Sequence, residues 1–165
     1  MNPLALGSDA LFEPWRLWTC HLVHFGWEHA LANALALAVP LLLVPKEDRA
    51  RLLAFTLIAA PLLSVLLLLD PDLGQYRGAS GLACALWAWV GLRLANRHDT
   101  APIGLLLLSG LLLKLGVESA LGSALLVHPE GWRALPAAHR WGTLLGLAGA
   151  LPAWLGSPSR LPRGT

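Results

Sequence analysis

The sequence predicts an all-α fold, a polytopic transmembrane helix bundle, from its composition and from the length of its apolar stretches. Of its 165 residues, 56% are hydrophobic and only 13% are charged, which is about half the charged fraction of a soluble domain. Several apolar stretches approach the roughly 20 helical residues that cross a bilayer core. The composition therefore excludes a soluble or disordered protein, and a scattered net charge of +2 excludes a nucleic-acid-binding surface.

Five apolar stretches have a suitable length for membrane spans. Because lipid offers no hydrogen-bond partners, backbone groups in such a span must bond within the chain, which favours helices. Pro45 ends the first stretch and Asp70 ends the second. The predicted spans run from about Trp27 to Val44, Arg51 to Leu69, Ser80 to Ala95, Pro102 to Leu126 and Pro136 to Leu155.

The chain is predicted to be one domain, since it has no repeat and no low-complexity tract. We expect an outer segment at residues 1–16, a transmembrane domain at 17–156 and a cytoplasmic tail at 157–165. Residues 1–14 contain no Lys or Arg and no apolar run of signal-peptide length. Cys20 and Cys84 are too few for a disulfide framework and are interpreted as small apolar residues in helices.

The basic residues predict the orientation. Arg16, Arg77 and Arg133 lie on one side of the predicted spans, and a larger group lies on the other, which is cytoplasmic by the positive-inside rule. Five spans then leave the N-terminus outside, so we expect a further span upstream of the sequence. The larger group consists of Lys46, Arg49, Arg51, Arg93, Arg97, Arg160 and Arg163.

Polar residues cluster at the outer ends of the spans, where each needs a reason because burial of polar groups in lipid is costly. His29 and Asn33 lie four residues apart on one face of the first span. Ser80 begins the third span between two glycines, and His139 lies near the start of the fifth, shortly before another pair. These glycines are Gly78, Gly81, Gly142 and Gly146.

The third and fifth spans are predicted to run parallel in close contact, which would bring Ser80 beside His139. Each has a face of small residues, and such faces let membrane helices approach closely. The third span, of about 16 residues, reaches only about 24 Å, so Ser80 is expected below the membrane surface. The small faces are Gly81, Ala85, Ala88 and Ala95 on the third span and Gly142, Gly146, Ala150 and Ala153 on the fifth.

This arrangement suits acyl transfer. A serine hydroxyl needs a base to become a nucleophile, and His139 is the candidate base for Ser80. The backbone N–H groups at the start of the third span, with side-chain donors from Asn33 and His29, suit a developing oxyanion. No Asp or Glu lies close to His139 in sequence, and none in the spans is an obvious partner for its ring. We therefore predict a Ser–His dyad.

At this point the residues resemble the rhomboid intramembrane serine proteases, over about residues 15–150. The resemblance implies that Ser80 is the nucleophile, that His139 is the base, and that His29, Asn33 and the Ser80 amide form the oxyanion pocket. It implies single-span membrane substrates cut near the outer end of their helix. It also implies a core of six helices, of which we expect the first to be missing from this sequence. The matching motifs are Trp15-Arg16, His24, His29, Asn33, Gly78-x-Ser80-Gly81 and His139-x-x-Gly142-x-x-x-Gly146.

The compact size and the stretch Lys114-Leu115-Gly116-Val117-Glu118 resemble the rhombosortase branch. That branch implies substrates with a C-terminal Gly-Gly motif, a transmembrane anchor helix and a basic tail, which are released or passed to the cell surface. It also implies a bacterial inner-membrane protein whose active site opens to the periplasm. No cofactor and no nucleic acid are expected.

The same residues also allow purely structural interpretations. Taken alone, Ser80 is better interpreted as a helix N-cap, and only its register with His139 and the glycines favours the nucleophile. His139 could instead be an interfacial histidine facing the headgroups, and Asn33 and His29 could hold neighbouring helices together. Trp15 and Arg16 are better interpreted as an interface anchor and a loop tie than as substrate contacts. Lys114 and Glu118, four residues apart, are expected to neutralise each other in a buried ion pair, with a grip on a substrate's polar end as the lesser alternative.

Three other function classes are considered. A metal site at His21, His24, Glu28 and His29 lacks the spacing of known zinc-protease motifs, so no metal is expected. A non-catalytic relative that binds and escorts membrane helices would be expected to lack Ser80 or His139, and both are present. A small transporter would place its polar residues near the middle of the membrane rather than at the outer edge.

Overall fold

The computed structural model describes residues 2–71, 73–123 and 135–155, with side chains up to residue 151. Within these ranges the chain forms six α-helices, a 3₁₀ turn at Lys46–Asp48 and no β-strand, which confirms the predicted all-α fold. The helices are α1 (Arg16–Thr19), α2 (Trp27–Leu43), α3 (Arg49–Leu67), α4 (Ser80–Ala95), α5 (Ala101–Leu121) and α6 (Pro136–Leu155).

The five predicted spans coincide with α2 to α6. Both ends of α4 and α6 agree with the prediction, and α2 ends one residue early. Helix α5 ends at Leu121 rather than near Leu126 because Gly122 adopts a left-handed conformation, φ 63°, that terminates the helix. Residues 124–126 of that predicted span lie outside the described residues. Helix α3 is displaced by two residues toward the N-terminus.

Two short elements were not predicted. Helix α1 and the 3₁₀ turn have four and three residues, too few to produce a hydrophobic period. One expectation is corrected here, because Cys20 follows α1 instead of lying within a helix. Cys84 lies in α4, and both thiols are buried and free. Burial raises the pKa of Cys20 to about 11, so this thiol stays protonated near neutral pH.

Helix α4 is the centre of the described bundle and packs against α2, α3, α5 and α6. Its contact with α6 is the closest, as predicted from the small residues. A Cβ atom on Gly142 would overlap the Gly81 carbonyl oxygen, and one on Gly146 would overlap the carbonyl of Ala85. The two helices therefore run parallel with their starts adjacent, backbone against backbone.

One member of the predicted small face packs elsewhere. Ala95, at the end of α4, meets α5 instead of α6, since a Cβ on Gly104 would overlap the Ala95 backbone. Gly91, one turn earlier on α4, faces Leu108 of α5. The small residues of α4 thus serve two neighbours, α6 near the start of the helix and α5 near its end.

The helix surfaces fit a lipid environment. Among the described residues, two segments, Lys46–Leu67 and Ala101–Leu121, have the length and hydropathy to cross a membrane, and α2 and α4 are shorter apolar helices. Large apolar side chains cover the outside of α5. They include Leu105, Leu106, Leu112 and Leu113, each more than half exposed.

A buried carboxylate joins α3 to the end of α4. Asp48 is fully buried, and the Arg93 guanidinium donates to both of its oxygens at 2.9 Å. Arg51 adds a further hydrogen bond at 3.1 Å. A charge buried in this way is tolerated only when it is paired. This cluster lies at one end of the bundle, and Ser80 and His139 lie at the other.

Candidate active site

Ser80 is the first residue of α4, and the loop before it is shaped by Gly78. Gly78 has φ 115°, a conformation that L side chains rarely adopt, and its N–H donates to the Cys20 carbonyl oxygen at 2.9 Å. A Cβ there would lie 2.6 Å from Cε1 of His29. Only glycine therefore lets this loop pass against the His29 ring and start α4 at Ser80.

The Ser80 hydroxyl lies beside the imidazole of His139. Ser80 Oγ is 3.0 Å from His139 Nε2, although the two residues are 59 positions apart in sequence. His139 is only 4% exposed. The alternative that Ser80 is merely a helix cap does not fit, because Ala79 is the N-cap residue and no side chain caps α4.

The close packing of α4 and α6 brings these two side chains together. A Cβ on Gly81 would lie 2.8 Å from the Ala138 carbonyl oxygen, so the first turn of α4 touches the first turn of α6. Ser80 and His139 are the chain neighbours of those two residues. The predicted small residues thus have a direct consequence, because any side chain at Gly81 would push the hydroxyl and the imidazole apart.

The other ring nitrogen of His139 meets a carboxylate, which corrects the prediction from sequence. Nδ1 lies 2.8 Å from Glu118 Oε2, on α5. Glu118 Oε1 is in turn 2.5 Å from Lys114 Nζ, one turn earlier on the same helix. The expectation that no carboxylate partners His139 is wrong. The i, i+4 spacing of Lys114 and Glu118 revealed their own pairing but not their approach to α6.

His29 and Asn33 lie next to the loop that carries Ser80. Asn33 is 4% exposed, and its Nδ2 donates to the His29 carbonyl oxygen at 2.7 Å. A Cβ on Gly78 would lie 3.0 Å from His29 Nε2 and 3.7 Å from Asn33 Nδ2. Two side-chain nitrogens therefore converge on the backbone two residues before Ser80. The first N–H groups of α4 have no partner within the helix itself.

His24 supports His29 from the side. The two rings meet edge to face with centroids 5.2 Å apart, and Phe25 stacks on His29 at 6.0 Å. Burial lowers the pKa of His24, which favours its neutral form. His21 points elsewhere: its Nε2 lies 3.0 Å from the Ala60 carbonyl oxygen on α3. The residues considered as a metal site thus divide between separate environments.

Arg16 and the tryptophans lie in the outer part of the chain. Arg16 is buried and forms ion pairs with Asp9, at 3.1 Å, and with Glu13, which tie the N-terminal segment to α1. Trp15 is 50% exposed and Trp27 is 72% exposed. These positions agree with a loop tie and with interface anchors, and neither role involves the reacting atoms.

Tyr76 was not predicted from the sequence as part of the site. This residue pairs with Leu6 in an isolated antiparallel bridge and is 6% exposed. Its hydroxyl is buried beside the Ser80 side chain and the Gly81 backbone, and burial raises its pKa well above the usual range. A neutral phenol thus closes the site on the side of the N-terminal segment. Its position four residues before Ser80 was the only available sequence signal.

Comparison with known proteins identifies the family. A search of curated proteins gave no significant match. The family model of the rhomboid domain matches residues 11–153, which is most of the chain and includes Ser80, His139 and the residues around them. Rhomboid proteins are usually intramembrane serine proteases and act on substrates embedded in the lipid bilayer. The chain therefore belongs to the rhomboid family, and it is an integral membrane protein.

Proposed function

We propose that this protein is an intramembrane serine endopeptidase in which Ser80 is the nucleophile and His139 the general base. One observation carries the proposal: a serine hydroxyl lies 3.0 Å from an imidazole nitrogen inside a chain of the rhomboid family. That distance is a normal hydrogen bond and allows direct proton transfer.

In the first half of the reaction Ser80 Oγ attacks the carbonyl carbon of the scissile peptide bond. Its proton passes to His139 Nε2, and the carbonyl oxygen becomes an oxyanion. Donors from Asn33, His29 and the Ser80 amide stabilise this charge. The carbon–nitrogen bond then breaks, and the proton on His139 moves to the departing amine, which leaves an acyl-enzyme on Ser80.

In the second half, water replaces the amine. His139 removes a proton from the water as it attacks the ester carbon, the same donors hold the second oxyanion, and the proton returns to Ser80 Oγ as the acyl group leaves. The products are a new carboxylate and a new amine. No redox partner or cofactor enters the balance.

The proposed substrates are single-span membrane proteins cut near the outer end of their helix. We further propose the rhombosortase type, in which a C-terminal Gly-Gly motif precedes the transmembrane anchor and a basic tail. Glycine lowers the cost of leaving the helical state by about 1 kcal/mol per residue relative to alanine, which would help the scissile segment to unwind. The Lys114–Glu118 stretch supports this branch.

The proposed topology follows the basic residues. It has five spans, with the end of α4 cytoplasmic and an active site that opens to the periplasm. The proposed domain division keeps residues 1–16 as the outer segment, 17–156 as the protease domain and 157–165 as the cytoplasmic tail. That tail lies outside the described residues.

A reporter with a Gly-Gly motif, an anchor helix and a basic tail tests the proposal. The wild-type protein in liposomes should cut it, while Ser80→Ala and His139→Ala should reduce kcat by at least about 10³-fold, since nucleophile and base act as a unit. Ser109→Ala and His98→Ala, at exposed positions away from the site, are matched controls and should cut normally.

The outcomes separate the parts of the proposal. Normal cleavage by Ser80→Ala would overturn the protease assignment. Cleavage of a reporter without the Gly-Gly motif at an equal rate would leave the protease and remove the rhombosortase substrate class. A wild-type protein that binds the reporter helix and never cuts it would favour the escort function instead.

A further inference from the structure

We propose that Glu118 is a positioning residue for His139, so that the site is a Ser80–His139–Glu118 triad and not a dyad. This inference rests on the proposed function and adds a third residue to it. The carboxylate would hold the imidazole in the tautomer that accepts the Ser80 proton, and it would stabilise the imidazolium formed in each half-reaction.

The geometry joins the three residues in one line. Ser80 Oγ is 3.0 Å from His139 Nε2, and His139 Nδ1 is 2.8 Å from Glu118 Oε2. A proton on Nδ1 that donates to the carboxylate leaves the lone pair of Nε2 facing the hydroxyl. This is the tautomer that a general base requires.

Lys114 makes the carboxylate necessary. Its Nζ lies 2.9 Å from His139 Nδ1, so it competes with Glu118 for the same ring nitrogen. An ammonium group only donates hydrogen bonds. A bond from Lys114 to Nδ1 would therefore require the proton on Nε2, and the ring could then no longer take the proton of Ser80. Glu118 and Lys114 favour opposite tautomers of one histidine.

The burial of the Glu118 and Lys114 side chains favours the contact of Glu118 with His139 over that of Lys114 with His139. The Glu118 side chain is 2% exposed, whereas that of Lys114 is 33% exposed. If Lys114 and Glu118 formed only an i, i+4 ion pair, both charged groups would be better solvated by pointing outward. Here the carboxylate turns inward to α6, with one oxygen on Lys114 and the other on His139.

The position of Glu118 in α5 also argues for a specific role. It lies in the last turn, before Leu121, where the negative end of the helix dipole disfavours an anion. A buried carboxylate in a membrane span is expensive. Both burial and the helix dipole therefore disfavour a carboxylate at Glu118. Its inward-facing oxygen, Oε2, is the one that contacts His139.

The experiment compares wild type with Glu118→Gln, Glu118→Asp and Glu28→Gln in the reporter assay. Glu118→Gln keeps the size of the side chain and removes its charge. It should lower kcat by at least about tenfold, toward the roughly 10⁴-fold loss seen when the equivalent charge is removed from a Ser-His-Asp triad, with KM little changed. Glu118→Asp should recover part of kcat. Glu28→Gln, on the exposed first turn of α2, is the matched control and should resemble wild type.

A second readout does not depend on catalysis. In ¹⁵N-histidine-labelled protein, the resonances that disappear in His139→Ala belong to His139, and their shifts distinguish a protonated from an unprotonated ring nitrogen. Wild type should carry the proton on Nδ1. Glu118→Gln should move a substantial fraction of this proton to Nε2. If the thermal unfolding temperature of the variant is unchanged, a purely structural role for Glu118 would not explain such a shift.

The two proposals fail in different ways. If wild type cuts the reporter and Glu118→Gln matches its kcat, the triad is wrong and the Ser80–His139 protease stands. An Nε2-protonated His139 in active wild type would also overturn the triad. If wild type shows no Ser80-dependent cleavage, the proposed function fails, and the triad fails with it.

Discussion

Gly78 shows how one backbone conformation builds the site. With φ 115° it turns the loop into α4, and the space that a Cβ would need is taken by the His29 ring. Gly78 therefore determines both how the loop enters α4 at Ser80 and how closely the His29 ring approaches this loop. From sequence, Gly78 was one member of a motif, and the structure supplies the reason for glycine at that position.

Gly78→Ala should reduce catalysis strongly. A left-handed conformation costs a residue with a Cβ about 1–2 kcal/mol, and the added methyl group would displace His29 from the proposed oxyanion pocket. We expect kcat for the reporter to fall by at least about tenfold. The measurement is the initial rate of cleavage at saturating reporter.

Gly74→Ala is the matched control for this substitution. It lies in the same loop, its φ is not positive, and no atom lies within 4 Å of the position of its Cβ. Its activity should equal that of wild type. An unchanged rate for Gly78→Ala would show that the close approach to His29 does not matter for the reaction.

Among the helices, the pair α4 and α6 matters most for the site. Two glycines of α6 meet carbonyl oxygens of α4, so the helices touch through their backbones over two turns. Such contacts depend on packing and weak polar interactions, since lipid gives no hydrophobic drive for helix association. The Ser80–His139 distance is set by this interface.

Gly142→Ala tests the interface. The added methyl group would overlap the Gly81 carbonyl oxygen, and overpacking of this kind typically costs about 1–3 kcal/mol. We expect a lower unfolding temperature in detergent together with a fall in cleavage. Gly110→Ala, on α5 with open space at its Cβ, should leave both unchanged or raise stability slightly. Equal behaviour of the two variants would contradict the backbone contact.

The helices were largely predictable, and the reasons are local. Ser80–Ala95 and Pro136–Leu155 are bounded by residues that start or stop helices, so their ends could be predicted from sequence. Helix α1 was not predicted because its four residues are too few to show a helical hydrophobic period. The end of α5 was placed too late because an apolar run continues past Gly122, and hydropathy alone does not reveal a left-handed turn.

The site was predictable only in part. Ser80 and His139 could be paired because each lies in the first turn of a helix with a face of small residues, and the two helices run in the same direction. Glu118 lies 21 residues before His139 on a third helix. The hydrophobic pattern of the sequence does not show which face of that helix is turned toward α6. The buried contact of Asp48 with Arg93, 45 positions away, was missed for the same reason.

At the scale of the whole molecule, charge is separated toward the two ends of the bundle. The Asp48–Arg93 cluster lies at the end of α4, and the Ser80–His139–Glu118 group lies at its start. The proposed orientation places the first group toward the cytoplasm and the second toward the periplasm. A protease so oriented would meet its substrates on the outer side.

Cysteine labelling in intact cells tests this orientation. Gly74→Cys, in the exposed loop before α4, should react with a membrane-impermeant maleimide, and His98→Cys, in the exposed loop after α4, should react only after lysis. Both native thiols are buried, so wild type provides the unlabelled control. The reverse pattern would mean that the basic residues do not set the topology.

The most direct test of the central claim is covalent labelling of the nucleophile. Wild-type protein in detergent is treated with a fluorophosphonate probe, and the modified residue is located by mass spectrometry. We expect an adduct on Ser80, a much slower reaction in His139→Ala and none at that position in Ser80→Ala. An adduct on another serine, or labelling of Ser80 that is as fast without His139 as with it, would contradict the proposed mechanism.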